Sequence, residues 1–116
     1  MKDFMLIFMG EDYQSMGMDP EQMQDRYGRW FAWNQKMRAD GVVKNGEALH
    51  TEAKRVSGKD RVVTDGPFVE GKDLVGGFYI VQATDMDGAL KIAEGYPDYD
   101  IGGTVEIREV MVFDGQ

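Results

Sequence analysis

The sequence predicts an α+β fold of the ferredoxin-like type: an antiparallel sheet with two helices on one face. Three observations predict it. Two strand-length runs, Phe4 to Met9, apolar throughout, and Val75 to Ala83, apolar on both faces at Phe78 to Val81, carry the core. Each is followed by a segment with helix-start chemistry and helical spacing. A closing run, Thr104 to Phe113, alternates as a strand does. The order is β-α-β(β)-β-α-β, a split β-α-β pattern with an added hairpin. With 116 residues the chain suits a single domain, residues 1–116.

The elements follow in order. "FMLIFM" is the first strand, apolar on both faces. After a connector rich in turn residues, Asp19-Pro20-Glu21-Gln22 starts the first helix: Asp19 caps, proline suits the first helical position, and Gln22 is placed for a capping box. The helix is expected over Pro20 to Asp40, with Met23, Tyr27, Trp30, Asn34 and Met37 at helical spacing and Gly41 as its stop. Tyr27 and Trp30 are expected on its core stripe. Trp33 lies within ~60° of that stripe and borders it.

Asn45-Gly46 and Ser57-Gly58 read as turns. Ala53 to Val56 and Arg61 to Thr64, flanking "SGKD", read as a hairpin, which Asp65-Gly66-Pro67 then breaks because proline cannot donate a ladder bond. "VGGFYIVQA" is the second core strand. Thr84 or Asp85 caps a short second helix carrying Met86, Ala89, Leu90 and Ala93, which ends near Gly95-Tyr96-Pro97. The last strand's alternation slips once near Arg108-Glu109, where a bulge is expected.

Composition narrows the function classes. A net charge of −8 opposes binding to nucleic acid or to an anionic membrane surface. No apolar run approaches the ~20 residues of a membrane span. The first residues read as a strand and not as a signal peptide. Without cysteine there is neither disulfide nor thiolate chemistry, and a cytoplasmic location is expected. One histidine and no cysteine argue against a transition-metal site, which would need mostly carboxylates, so no metal is expected. No phosphate-binding loop, dinucleotide fingerprint or nucleophile elbow is present, so no cofactor is expected. Because both core strands are apolar on both faces, the second face of the sheet needs a cover, and a homodimer is expected to supply it. A cavity between sheet and loops would suit a small-molecule ligand.

The longest distinctive stretch is "VTDGPFVEGKDLVGGFYIVQATDMDGALKIA". With the "FMLIFMG" strand, the Trp30 and Trp33 helix, "DGVVKNGEAL" and the closing "GGTVEIREV", it resembles the YCII-related family, in the branch named for its DGPF motif. The resemblance implies a dimeric α/β barrel built on a ferredoxin-like protomer. Most similar proteins have no assigned activity. A few are implicated in dehydrochlorination or lactone-type chemistry in aromatic degradation, and others lie beside, or are fused to, sigma factors of the extracytoplasmic type. A His–Asp pair is proposed as the active site of the family's other branch, but His50 does not stand where that histidine would fall.

The residues themselves nominate candidates. His50 is the only side chain that ordinarily titrates near neutrality, so it is a candidate proton carrier. Asp65 at the head of the DGPF turn either anchors that turn or acts as a carboxylate at a cavity mouth, orienting His50. Gly76 and Gly77, inside a strand, mark a bulge or a close approach by a ligand or another backbone. Phe68, Tyr79 and Trp33 are candidate pocket walls, with core packing as the plainer reading. Two functions follow. One is a cofactor-independent enzyme, or a binding protein, for a small apolar, aromatic or lactone-like compound. The other is a non-catalytic dimeric module associated with a sigma-factor system.

Overall fold

The computed structural model describes residues 1–67 and 71–114. Strand β1 (Lys2–Met9) is followed by helix α1 (Pro20–Ala39), β2 (Val43–Ala48), the hairpin β3 (Ala53–Ser57) and β4 (Val62–Gly66), β5 (Val75–Ala83), helix α2 (Met86–Ala93) and β6 (Thr104–Glu109). The main sheet has the order β2-β5-β1-β6, and its neighbours are all antiparallel. The two strands that sequence marks as most apolar are therefore its centre. β3 and β4 pair only with each other, as a separate two-stranded sheet.

Strand alternation sorts the side chains. Phe4, Leu6 and Phe8 of β1, with Val81 and Ala83 of β5, face the helices and are buried. They meet Trp33 and Met37 of α1, Ala89 of α2 and Tyr96 in one core. The register pairs Met5 with Ile80 and Ile7 with Phe78, so these four lie together on the opposite face. There they are half-buried.

Helix α1 starts as its sequence requires. Asp19 Oδ1 accepts from the Gln22 amide at 2.8 Å, and Gln22 Oε1 accepts from the Asp19 amide at 2.9 Å. Its buried face differs from the expected stripe: Trp33 and Met37 are the buried residues, while Tyr27 is 54% exposed. The helix is rotated so that Trp33 points inward. It can do so because Gly95 has no side chain, and a Cβ there would run into the Trp33 indole. In α2, Asp85 is the cap, accepting from the Gly88 amide at 2.9 Å, and the helix ends at Ala93 with Glu94 as its C-cap, just before Gly95 as expected.

Further expectations are corrected, among them the bulge near Arg108-Glu109: β6 pairs with β1 there without a register shift. Asn45-Gly46 is no turn. Both residues sit inside β2, where Gly46 pairs with Tyr79 and a Cβ would collide with the Tyr79 ring. The glycine makes room for an aromatic neighbour, and the irregularity falls instead between Val43 and Asn45, where the β2–β5 register shifts. Asp65 and Gly66 do not break the hairpin but belong to β4, pairing with Lys54 and Ala53; only Pro67 lies beyond it. β6 ends at Glu109, paired with Phe4 of β1, without continuing to Phe113. The Val110 amide still donates to the Asp3 carbonyl at 2.8 Å, and Met111, Val112 and Phe113 beyond it are exposed.

Candidate functional site

At one end of the sheet, between the β1–α1 connector and the start of β5, lies a cavity of about 440 Å³. That size suits a small organic molecule. Its aromatic lining comes from four parts of the chain: Phe8 from β1, Trp30 from α1, Tyr79 from β5 and Tyr96 from the segment after α2. Phe8 is the hub. It stacks on Tyr96, with ring centroids 5.4 Å apart and an interplanar angle of 9°. It meets Trp30 and Tyr79 edge-on at 5.0 and 5.3 Å. Such T-shaped contacts set the positive edge of one ring against the negative face of another.

The connector supplies the remaining wall through Tyr13, whose ring lies 5.8 Å from that of Tyr27. Tyr13 is fixed by a polar cluster behind the cavity. Its hydroxyl donates to Asp98 Oδ2 at 2.6 Å and accepts from Trp30 Nε1 at 2.9 Å. Trp30 Nε1 also reaches Asp98 Oδ2, at 3.2 Å. Asp98 is 7% exposed, a buried carboxylate that needs compensation. It has it: Arg26 Nη1 lies 3.4 Å from Asp98 Oδ1 and also donates to the Pro97 carbonyl at 3.3 Å. The same guanidinium grips Asp100 with both nitrogens, at 2.7 and 3.0 Å. Burial, and then the bond to Asp98, push the Tyr13 hydroxyl above its ordinary pKa. Burial does the same for Tyr96 and Tyr79. These phenols stay protonated at neutral pH.

Glycines set the floor. The β1–β5 register shifts between Phe8 and Met9, which pair with Gly77 and Val75, leaving Gly76 as the extra residue of a bulge. A Cβ on Gly77 would lie 2.6 Å from the Glu47 carbonyl, so β2 can approach only a glycine there. Both glycines line the cavity. Gly103 has a similar role: a Cβ there would strike the Tyr96 hydroxyl, which the glycine allows to lie against β6.

Of the residues that sequence nominates, Gly76, Gly77 and Tyr79 line the cavity together. Tyr79 lies on the helix face of the sheet and Phe78 on the other; the Tyr79 hydroxyl accepts from Asn34 Nδ2 at 3.3 Å. Trp33 is core, behind the lining, with its ring 5.6 Å from that of Tyr79. Phe68 lies outside the described residues. Asp65 projects from the hairpin, highly exposed, and is bonded to Lys54 Nζ at 2.6 Å. His50 is exposed, in the loop between Leu49 and Thr51, both of which line the cavity. Among the described residues, no hydrogen bond joins His50 to Asp65.

Sequence reasoning misses Tyr13, Tyr96, Asp98 and Arg26. Tyr13 and Asp98 stand in stretches that read as connectors, and they meet only through the fold. Their one local signal is an aromatic residue in each stretch, more than a plain turn requires.

Among the described residues, no group of acidic or histidine side chains is arranged to hold a metal ion. No helix is long and apolar enough to cross a membrane. No curated protein matches the chain. The family model of the YCII-related domain does, over residues 4–114, which takes in every strand and helix described above except the first two residues of β1. The chain belongs to the YCII-related family.

Proposed function

We propose that this protein binds a small, largely apolar or aromatic compound in the cavity bounded by Tyr13, Trp30, Tyr79 and Tyr96, and that it does so as a homodimer of the DGPF branch of its family. The observation that carries the binding reading is the polar cluster behind the wall. Asp98 accepts from both Tyr13 and Trp30, so two cavity rings are held in place by one buried, ion-paired carboxylate. A cavity with preformed aromatic walls and few polar groups suits such ligands.

The test is direct, because Trp30 lines the cavity and reports on its occupancy. A panel of monocyclic phenols, aromatic lactones and aromatic amines is titrated while tryptophan emission is followed. Saturable change that weakens at least about tenfold in Tyr79→Ala supports the reading. A panel without any saturable response would reject it.

The dimer reading rests on Met5, Ile7, Phe78 and Ile80, a continuous apolar patch at the centre of the sheet's outer face. The branch reading rests on the Asp65-Gly66-Pro67-Phe68 segment. One observation favours a second, catalytic reading: His50 stands between two cavity-lining residues. In that reading His50 moves a proton on the bound compound. Full turnover by His50→Ala and Asp65→Ala on an identified substrate would remove it.

A further inference from the structure

The charge pattern around the cavity is one-sided. Among the described residues that line it there is no lysine, arginine or histidine. The acidic residues Glu11 and Asp12 stand on its connector wall, beside Tyr13. Glu47 also borders it, although the register sets its side chain on the opposite face of the sheet from Tyr79. Asp12 accepts from the Ser15 hydroxyl at 2.6 Å and the Ser15 amide at 3.2 Å, and the hydroxyl bond lowers its pKa, so it is ionised at neutral pH. The neighbouring guanidinium, Arg26, is held behind the wall by Asp98 and Asp100. Inside that acidic rim the surface is aromatic, and aromatic faces carry partial negative charge.

We infer that the cavity is selective for an organic cation, an aralkyl amine or quaternary ammonium compound, held by Trp30, Tyr79 and Tyr27 ring faces with Glu11 and Asp12 at the rim. This rests on the binding function proposed above and specifies its ligand. A cation over several aromatic faces is attracted by their quadrupoles, most strongly where water is excluded. A carboxylate in the same place would meet like charge and ring faces, with no cationic partner among the described lining residues. The inference separates this cavity from one built for anionic acids.

Three probes that share a phenethyl or benzyl body and differ in charge decide the matter: phenethylammonium, phenethyl alcohol and phenylacetate. Each is titrated by calorimetry and tryptophan emission at low ionic strength. The cation is expected to bind about fivefold or more tighter than the alcohol, and phenylacetate weakest. Glu11→Gln with Asp12→Asn should bring the cation to within about twofold of the alcohol, the ratio of the two affinities in the same variant being the readout. Circular dichroism confirms that the variant is folded, and the comparison within the unaltered protein needs no variant. If the alcohol or phenylacetate binds as tightly as the cation, the charge selectivity is overturned while the cavity stands as a binding site. If none of the three binds, the site itself is rejected, and the selectivity falls with it.

Discussion

The hydroxyl of Tyr13 donates to Asp98 at 2.6 Å across 85 residues of sequence. That bond ties the β1–α1 connector to the segment leading into β6. It also places one cavity wall against Trp30, which shares the same carboxylate. Arg26 supplies the charge that lets Asp98 be buried: their side chains are 11% and 10% exposed.

Removing the carboxylate is therefore costly. Asp98→Ala leaves Arg26, Tyr13 and Trp30 each short of a partner, and should destabilise the protein by about 3 kcal/mol. Tyr13→Phe removes one hydrogen bond and should cost about 1 kcal/mol. Urea denaturation followed by tryptophan emission measures both. A loss below about 0.5 kcal/mol for Asp98→Ala would show that the cluster does not hold the wall.

Alkaline pH should unfold the protein through its phenols. Tyr13, Tyr79 and Tyr96 have folded-state pKa values above the ordinary value of 10.0. A phenol protects the fold fully below its unfolded pKa; above that value the unfolded chain releases protons that the folded chain keeps. Stability is then expected to be level near neutrality and to decline from about pH 10 upward. Tyr13→Phe should flatten part of that decline. Urea midpoints across this range, with tyrosinate absorbance, check the expectation.

Acid acts through a different pair. The Arg26 guanidinium holds the Asp100 carboxyl below its usual range, with Arg29 adding to the effect. The resulting stability is present above the unfolded aspartate value, about 4, and is lost as pH falls through the folded one. Asp100 is open to solvent, so the contribution is small and should shrink further in high salt. A salt-insensitive acid limb that persists in Asp100→Asn would assign it to other carboxylates.

Two glycines of the cavity region should respond oppositely to alanine. At Gly46 a Cβ would meet the Tyr79 ring and the Phe78 carbonyl, so Gly46→Ala should cost about 1–3 kcal/mol and weaken ligand binding. At Gly76 a Cβ would meet nothing within 4 Å, and Gly76→Ala should change stability by less than about 1 kcal/mol. Thermal melts of the pair, run together, distinguish close approach from simple strand preference.

The β3–β4 hairpin should be the least protected sheet. Val56, Val62 and Val63 on it are exposed, and a lone two-stranded hairpin is marginal in water. Its amides are expected to exchange far faster than those of β1 and β5. The exposed Lys54–Asp65 pair adds little, so Asp65→Ala should shift stability by less than about 0.5 kcal/mol. Hydrogen exchange read by mass spectrometry gives the first result, and denaturation the second.

What local chemistry dictates was legible before the structure. The Asp19–Gln22 capping box, a cap at Thr84 or Asp85, both central strands and a bulge or close approach at Gly76-Gly77 follow from patterns a few residues long, and so does the order of elements apart from β2. Tyr79, Gly76 and Gly77 were nominated for the cavity on strand rules alone. Other features were decided by neighbours from elsewhere in the chain. Gly46 is a strand residue because Tyr79 lies over it, against the turn preference of Asn45-Gly46. Trp33 is buried because Gly95 leaves it room. The cluster of Tyr13, Arg26, Trp30 and Asp98 belongs wholly to this second kind. From the sequence alone come both helices, the two central strands, the β3–β4 hairpin and the last strand, but not the edge strand β2, because hydrophobic period and capping act over one or two turns of chain. That a phenol near one end donates a hydrogen bond to a carboxylate near the other is settled by tertiary structure, because it depends on where the sheet brings distant connectors together.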